Sequence, residues 1–346
     1  RFVRITEAVH ARIIEGQIAE LRMTTRVHEE ISQLAEDGAG VDEIVRTAAR
    51  LADRPVVLEN LAHQVIALEP GRAEVAELLV RWEHRSRASQ PTGRSGYDPV
   101  RGWLITMVGT RGTDWARLVL VCDDGPTELD RLVAARTAAA LGLARSPGAE
   151  LGALEQDAHA SLLSRLLAPG YLDAEDLVAR SGALGVPLRN RVFVGAVLRP
   201  RGEASSRAGA QWLRSVTEIV TSAARELRIA VLASPFGADT VALLSLPRST
   251  AIDPSVDRWA SRVRARAGAG PDYVIAVGSI ALAPGEIGRS LAEALHVADA
   301  AQAQHGNQPC YRISDVGLRG LLALLRNETA VQSFAEHTLG ALLEYD

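Results

Sequence analysis

Residues 234–247, SPFGADTVALLSLP, lie near the centre of the C-terminal half of the chain and combine a turn signal with an apolar run. Gly237 allows a positive φ angle and Asp239 suits a turn, so both favour a tight reversal of the chain. The apolar run that follows is typical of a strand, and Pro247 ends it. The stretch therefore predicts a β-hairpin.

The segments on either side of this hairpin predict an α+β domain. Strand-like stretches alternate with amphipathic helices in the order βαββαβ, which is the order of the ferredoxin-like fold. One further helix and a short edge strand follow. The predicted elements are strands 191–198, 229–233, 240–246, 273–278 and 309–313, and helices 208–227, 253–266 with Asp253 as its N-cap, and 284–304.

The N-terminal half predicts a second antiparallel sheet with helices, as in GAF and PAS sensor modules. The GTRGT sequence at 109–113 lies between two strands with no helix after it, which favours a hairpin turn over a phosphate-binding loop. The predicted elements are helices 41–52, 72–85 and 128–144, strands 55–59, 64–68, 102–108 and 117–122, and a mobile loop over 86–100.

These patterns divide the chain into five segments. Residues 1–36 form an amphipathic helix that either pairs with a second copy or packs on its own domain, and the spacing of its apolar residues leaves both open. The segments that follow are a sensor domain over 37–146, a helical connector over 147–188 with Asp173 as an N-cap, a second sheet domain over 189–313, and a helical region over 314–346 that Ser314 begins.

Composition narrows the class of protein. The net charge of −4 gives no global basic surface, so this chain is a poor candidate for binding nucleic acid by itself. Its two cysteines favour buried thiols over a disulfide framework, and no apolar run reaches the roughly 20 residues of a membrane span. We therefore expect a cytoplasmic protein with no membrane partner, and the absence of Met at position 1 predicts a segment of a longer protein.

Three stretches of sequence resemble PucR/CdaR-type bacterial transcription regulators. Residues 28–68, including HEEISQLAEDGAG and VDEIVRTAARLADRPVVLEN, resemble the start of the family's GAF-like sensor, and RVFVGAVLRP, FGADTVALLSLP and IAVGSIA within 191–313 resemble its GGDEF-like domain. Residues 314–346 resemble the helices that lead into its C-terminal helix-turn-helix domain. The resemblance implies a ligand-sensing homodimer that binds DNA through a domain beyond residue 346. It also implies an unidentified small-molecule or protein effector and no cofactor.

The same resemblance raises the question of catalysis. An active diguanylate cyclase needs a Gly-Gly turn, an acidic pair and a carboxylate at the end of the first strand to hold metal and nucleotide. The first strand here offers Val and Leu at the candidate metal positions, with Arg199 beyond them. We therefore predict no enzymatic activity. A nucleotide-signalling enzyme, a non-catalytic nucleotide-binding domain and a ligand-independent dimerisation scaffold are the alternatives. The degenerate turn comprises Phe236, Gly237, Ala238, Asp239 and Thr240.

A candidate ligand site lies in the sensor half, where aromatic and basic residues crowd the predicted loop. Such residues beside a sheet suit a small planar or anionic ligand, although core packing explains the same pattern. The histidines show no metal-ligand spacing, so we expect no metal site. The candidate ligand-binding residues are Trp82, His84, Tyr97, Arg101 and Trp103.

Overall fold

The computed structural model describes residues 23–110, 113–143, 151–168, 174–201, 210–267, 273–302, 304 and 308–317. The chain divides into two compact units, Arg1–Glu155 and Gln156–Asp346. In the first unit the helices are α1 (residues 23–36), α2 (Val41–Ala52), α3 (Val75–Leu79), α4 (Trp82–Arg87) and α5 (Glu128–Leu143). Its strands are β1 (Val56–Asn60), β2 (Val65–Glu69), β3 (Ser95–Asp98), β4 (Trp103–Thr110) and β5 (Thr113–Val121).

The five strands form one antiparallel sheet in the order β2-β1-β5-β4-β3. Apolar side chains of one face, such as Leu58, Leu104 and Leu118, form a core with α1, α2 and α5. Val27 and Ile31 of α1 are buried in this core, so the described part of that helix packs on its own domain. The predicted antiparallel sheet with helices is confirmed, as is the hairpin formed by β4 and β5, whose turn residues 111 and 112 lie outside the described residues.

The other face of this sheet carries two corrections to the sequence prediction. The single helix predicted over 72–85 is two short helices, because Val80 leaves the helical conformation (ψ 117°) and Arg81 has a left-handed backbone (φ 48°). The loop predicted over 86–100 contains the end of α4 and the edge strand β3, which pairs with β4. A four-residue strand containing Ser and Gly gives no apolar alternation, so composition alone favoured a loop.

In the second unit the helices are α6 (Leu151–Leu167), which begins just before the division, α7 (Ala174–Ala183), α8 (Ala210–Glu226), α9 (Ile252–Ala267) and α10 (Ile287–Ala301), which follows a 3₁₀ turn, Pro284–Glu286. The strands are β6 (Arg191–Pro200), β7 (Ala230–Phe236), β8 (Asp239–Pro247) and β9 (Tyr273–Ala281). They form an antiparallel sheet in the order β7-β8-β6-β9, so the predicted ferredoxin-like order is confirmed.

This sheet lies between two helical layers. Alternate residues of β6 point to opposite faces: Phe193 packs with α6, α7 and α10, whereas Val194 packs with α8 and α9. One layer meets the sheet very closely, because a Cβ at Gly278 would lie 1.9 Å from the Ser290 carbonyl oxygen of α10. The Ser290 hydroxyl accepts a hydrogen bond from Gly195 N (2.8 Å) and donates one to Ser279 O (2.5 Å), joining α10 to the bulge between β6 and β9.

Three local predictions in this unit were wrong. Asp253 lies within the first turn of α9, which begins at Ile252. The helix predicted over 284–304 starts with the 3₁₀ turn, and the strand predicted over 309–313 is a single parallel bridge between Ala276 and Tyr311. Residues 313–317 are helical, while Asp173 and the region from 318 onward lie outside the described residues. No helix in the described part of the chain is long and apolar enough to cross a membrane.

Candidate functional site

The second face of the β1–β5 sheet contains a buried carboxylate. Glu59 on β1 is 0% exposed. It accepts hydrogen bonds from Trp82 Nε1 (2.7 Å to Oε2) and from the Ser86 hydroxyl, which lies 2.6 Å from Oε1 and 2.7 Å from Oε2. Both donors belong to α4, so the carboxylate fixes that short helix against the sheet.

Arg117 on β5 provides the positive charge beside this carboxylate. Its Nε atom lies 3.0 Å from Glu59 Oε1, an ion-pair contact in which the N–H is not directed at the oxygen. Its Nη2 group donates to Ser89 O (2.9 Å), so the same side chain also holds the chain that leaves α4. Burial lowers the pKa of Arg117 and the charge of Glu59 opposes that shift. A guanidinium stays protonated under such conditions, so this is a charged pair.

His63 completes the network from the turn between β1 and β2. Its backbone is left-handed (φ 67°), and its Nδ1 atom lies 2.8 Å from Ser86 Oγ, 3.2 Å from Arg117 Nη1 and 3.6 Å from Glu59 Oε1. Burial is the largest cause of a lowered pKa at His63, with Glu59 raising it and Arg117 and Arg87 lowering it. The imidazole is therefore neutral near pH 7, and Nδ1 accepts the hydrogen bond from Arg117.

Two of the predicted ligand-binding residues meet directly. The rings of Trp82 and Trp103 stack with centroids 4.5 Å apart, and each residue is 1% exposed. Arg101 lies at the adjacent edge, where it forms an ion pair with Asp98 (2.8 Å), the residue opposite Trp103 in the β3–β4 ladder. The structure therefore brings Trp82, Trp103 and Arg101 to the same side of the sheet.

The other two predicted residues lie elsewhere. His84 is exposed on α4. Tyr97 precedes Asp98 on β3, so its ring packs on the opposite face with α2 and α5, and its hydroxyl donates to Cys122 O (3.1 Å). The alternation of side chains along β3 separates Tyr97 from the tryptophan pair.

Arg85 lies next to the tryptophan pair. Its guanidinium carbon is 5.7 Å from the Trp82 ring centroid and 5.1 Å from that of Trp103. Its Nη2 group donates to Leu78 O, and its Nε is buried without an acceptor among the described residues. Burial, and then the charge of Arg101, lower the pKa of this side chain.

In the second unit β7 and β8 are joined by a two-residue turn, Gly237 and Ala238. Gly237 has φ +60° and Ala238 does not share the positive φ, which fits a type II′ turn between the Phe236–Asp239 pair. No atom lies within 4 Å of a Cβ built at Gly237. The turn therefore uses glycine for its backbone angle.

The surviving acid of this turn has a basic partner at the end of the first strand. Arg199 donates from Nε to Asp239 Oδ1 (2.9 Å) and from Nη2 to Oδ2 (2.6 Å), a bidentate pair. Its Nη1 group contacts Asp299 of α10. The hydrogen bonds to Asp239 are the largest cause of a raised pKa at Arg199. The one acid left in the turn is thus already neutralised by a cation of the same chain.

Sequence reasoning identified the residues at the hairpin but missed their partners. Asp239 was interpreted as a turn acid and Arg199 as a residue beyond the metal positions, and their pairing depends on the neighbouring positions of β6 and β8. The Glu59–Arg117 pair was missed because the two residues are 58 positions apart in sequence and meet only through the pairing of β1 with β5. Among the described residues, no group of His, Cys, Asp and Glu side chains could hold a metal ion.

Comparisons with known proteins identify one domain. The family profile of the GGDEF-like domain matches residues 170–300, which include β6 to β9. No curated protein matches the chain. Residues 170–300 therefore form a GGDEF-like domain.

Two solved structures show limited similarity. A regulator of polyketide synthase expression from Bifidobacterium adolescentis is 15% identical with a TM-score of 0.33, and the alignment covers 51% of this chain and 61% of that chain, less than two thirds of its length. PelD 158-CT from Pseudomonas aeruginosa PAO1 is 16% identical with a TM-score of 0.22, over 84% of this chain and 99% of that chain.

Proposed function

We propose that this chain is the sensing and dimerising region of a one-component transcription regulator, and that its GGDEF-like domain is a non-catalytic module. The bidentate Arg199–Asp239 pair is the observation that carries the second statement. The match to the GGDEF-like domain and the sequence resemblance to PucR/CdaR-type regulators support the first.

The chemistry of the pair supports a non-catalytic role for this domain. Mg²⁺ at a phosphoryl-transfer site requires carboxylate oxygens and bound phosphates as ligands. The turn offers one carboxylate, Asp239, and both of its oxygens accept hydrogen bonds from a guanidinium that cannot be deprotonated. A divalent cation there would have to displace Arg199 and would face its positive charge. The arrangement stabilises the hairpin against β6 and does not bind metal.

The sensor domain supplies the input in this proposal. A small molecule or protein effector acts at the face that carries Trp82, Trp103 and Arg101, where α4 is held by the Glu59–Arg117 network. Such an effector shifts a pre-existing equilibrium between two arrangements of a homodimer. A helix-turn-helix domain beyond residue 346 reads that arrangement as the spacing of its two recognition helices.

The proposal is tested on the full-length protein and on this chain. Light scattering after size exclusion should give the mass of a dimer for residues 1–346. Fluorescence anisotropy with fragments of the organism's own promoter DNA should show binding by the full-length protein and none by residues 1–346 alone. A full-length protein that binds no DNA, or a chain that stays monomeric at micromolar concentration, contradicts the proposal.

A further inference from the structure

Arg85 differs from three other arginines on its side of the first sheet, each of which is paired with a carboxylate. Arg117 pairs with Glu59, Arg101 with Asp98 and Arg87 with Glu83. Arg85 makes no ion pair with a carboxylate among the described residues, and its hydrogen bond goes to the carbonyl oxygen of Leu78. This half-buried guanidinium is therefore a positive charge without a counter-charge in the described part of the sheet face.

The surroundings of Arg85 destabilise its positive charge. Burial is the largest cause of its lowered pKa, and the second is the positive charge of Arg101, with no carboxylate acting in the opposite direction. Its enclosed Nε lacks an acceptor among the described residues, and a buried polar group without a partner is destabilising. The Trp82 and Trp103 rings offset part of this loss through cation–π contacts.

We propose that Arg85, with Arg101 beside it, binds the oxyanion of a small-molecule effector, either a carboxylate or a phosphate group. The inference rests on the sensing role proposed above and names the chemical class of ligand at that face. Because Nε is enclosed and Nη2 is bound to Leu78 O, the ligand reaches the guanidinium at Nη1. Arg101 adds a second positive charge, and its pairing with Asp98 keeps it in place.

An oxyanion at this position would act on the break between α3 and α4. Leu78 belongs to α3 and Arg85 to α4, so the Arg85–Leu78 hydrogen bond already joins the two short helices across the left-handed Arg81. A bound anion would hold the Arg85 guanidinium more firmly. Because both tryptophan rings contact that guanidinium, their environment would change as well. Binding should therefore alter tryptophan fluorescence.

The test is isothermal titration of residues 1–346 with inorganic phosphate and, in a separate arm, with succinate, at constant ionic strength set with chloride. Saturable binding of at least one anion is expected, together with a change in tryptophan emission. Arg85→Met, which keeps the aliphatic stem, should weaken binding about tenfold or more, the loss of one charged hydrogen bond. Arg87→Met is the matched control, since Arg87 is an exposed cation of the same helix paired with Glu83, and should bind as the wild type does.

The proposal is overturned if neither anion gives saturable heat with the wild-type chain, or if Arg85→Met and Arg87→Met weaken binding equally. Should Arg85→Met fail to fold by circular dichroism, Arg85→Lys and Arg101→Met decide the question, and unchanged binding in both would refute the site. The titration uses neither DNA nor the oligomeric state as a readout. Its failure would leave the proposed regulatory function standing, and loss of DNA binding by the full-length protein would leave the anion site standing.

Discussion

The Arg199–Asp239 pair predicts a large and asymmetric response to substitution. Asp239 is 6% exposed and both of its oxygens are bound by Arg199. Arg199→Met leaves a buried carboxylate without its cation, and breaking a buried pair in this way costs about 3–5 kcal/mol. Asp299 adds little to this figure, because its side chain is 55% exposed and an exposed pair contributes about 1 kcal/mol at most.

The reverse substitution should be milder. Asp239→Asn removes the buried negative charge, keeps an acceptor for Arg199 and leaves Asp299 as a counter-charge, so we expect a loss of about 1–3 kcal/mol. The double variant Arg199→Met/Asp239→Leu has no buried charge and should recover most of the stability that Arg199→Met loses. Comparing the double variant with Arg199→Met separates two free energies: the destabilisation by an unpaired buried charge and the net stabilisation by the intact pair.

Urea unfolding with hydrogen exchange measured by mass spectrometry gives the assay. The chain has two compact units, so a single unfolding curve need not describe either one, and exchange in peptides from β6 and β8 reports the second unit alone. A loss below about 1 kcal/mol for Arg199→Met, or a double variant no more stable than that single variant, would show that the pair does not hold the hairpin.

Three further predictions concern stability. Gly278→Ala places a Cβ 1.9 Å from a carbonyl oxygen of α10 and should destabilise the second unit by about 3 kcal/mol or more in urea, whereas Gly182→Ala in α7, with no atom within 4 Å of the new Cβ, should be neutral or stabilising. Glu59→Gln leaves the buried Arg117 charge without its carboxylate and should lower the thermal midpoint of the first unit by several degrees. Glu83→Gln is the control and should have little effect, because the Glu83–Arg87 pair is exposed. Burial lowers the pKa of His159 to about 4 from an ordinary value of about 6.5, so the folded state binds fewer protons than the unfolded state and stability should fall as pH drops from about 7 to 4. His159→Phe should flatten that pH dependence in urea titrations, and an unchanged slope would exclude this histidine as its source.

Local sequence signals predicted most of the fold because the elements depend on nearby residues. The hairpin at Gly237 follows from one glycine and the apolar strands beside it, and the helix over 41–52 was predicted with its observed bounds. The failures occur where tertiary contacts override local preference. Arg81 adopts a left-handed backbone that arginine rarely favours, and that break places Trp82 where its indole N–H reaches Glu59.

The functional groups were predicted less completely than the fold for the same reason. Trp82 and Trp103 are 21 positions apart in sequence, and only the sheet and α4 stack their rings. Arg199 and Asp239 are 40 positions apart and meet through the antiparallel pairing of β6 with β8. Composition could indicate that aromatic and basic residues are enriched near the first sheet, but it could not show which of them face each other.

The proposed regulatory role depends most on the GGDEF-like domain not being a catalyst. The direct measurement is incubation of residues 1–346 with GTP and Mg²⁺ or Mn²⁺, with nucleotides separated by chromatography and the metal's effect on the thermal midpoint recorded in parallel. We predict no cyclic dinucleotide and no metal-dependent stabilisation, because Arg199 occupies both oxygens of Asp239. Formation of a cyclic dinucleotide by the wild-type chain, abolished by Asp239→Asn, would contradict the account.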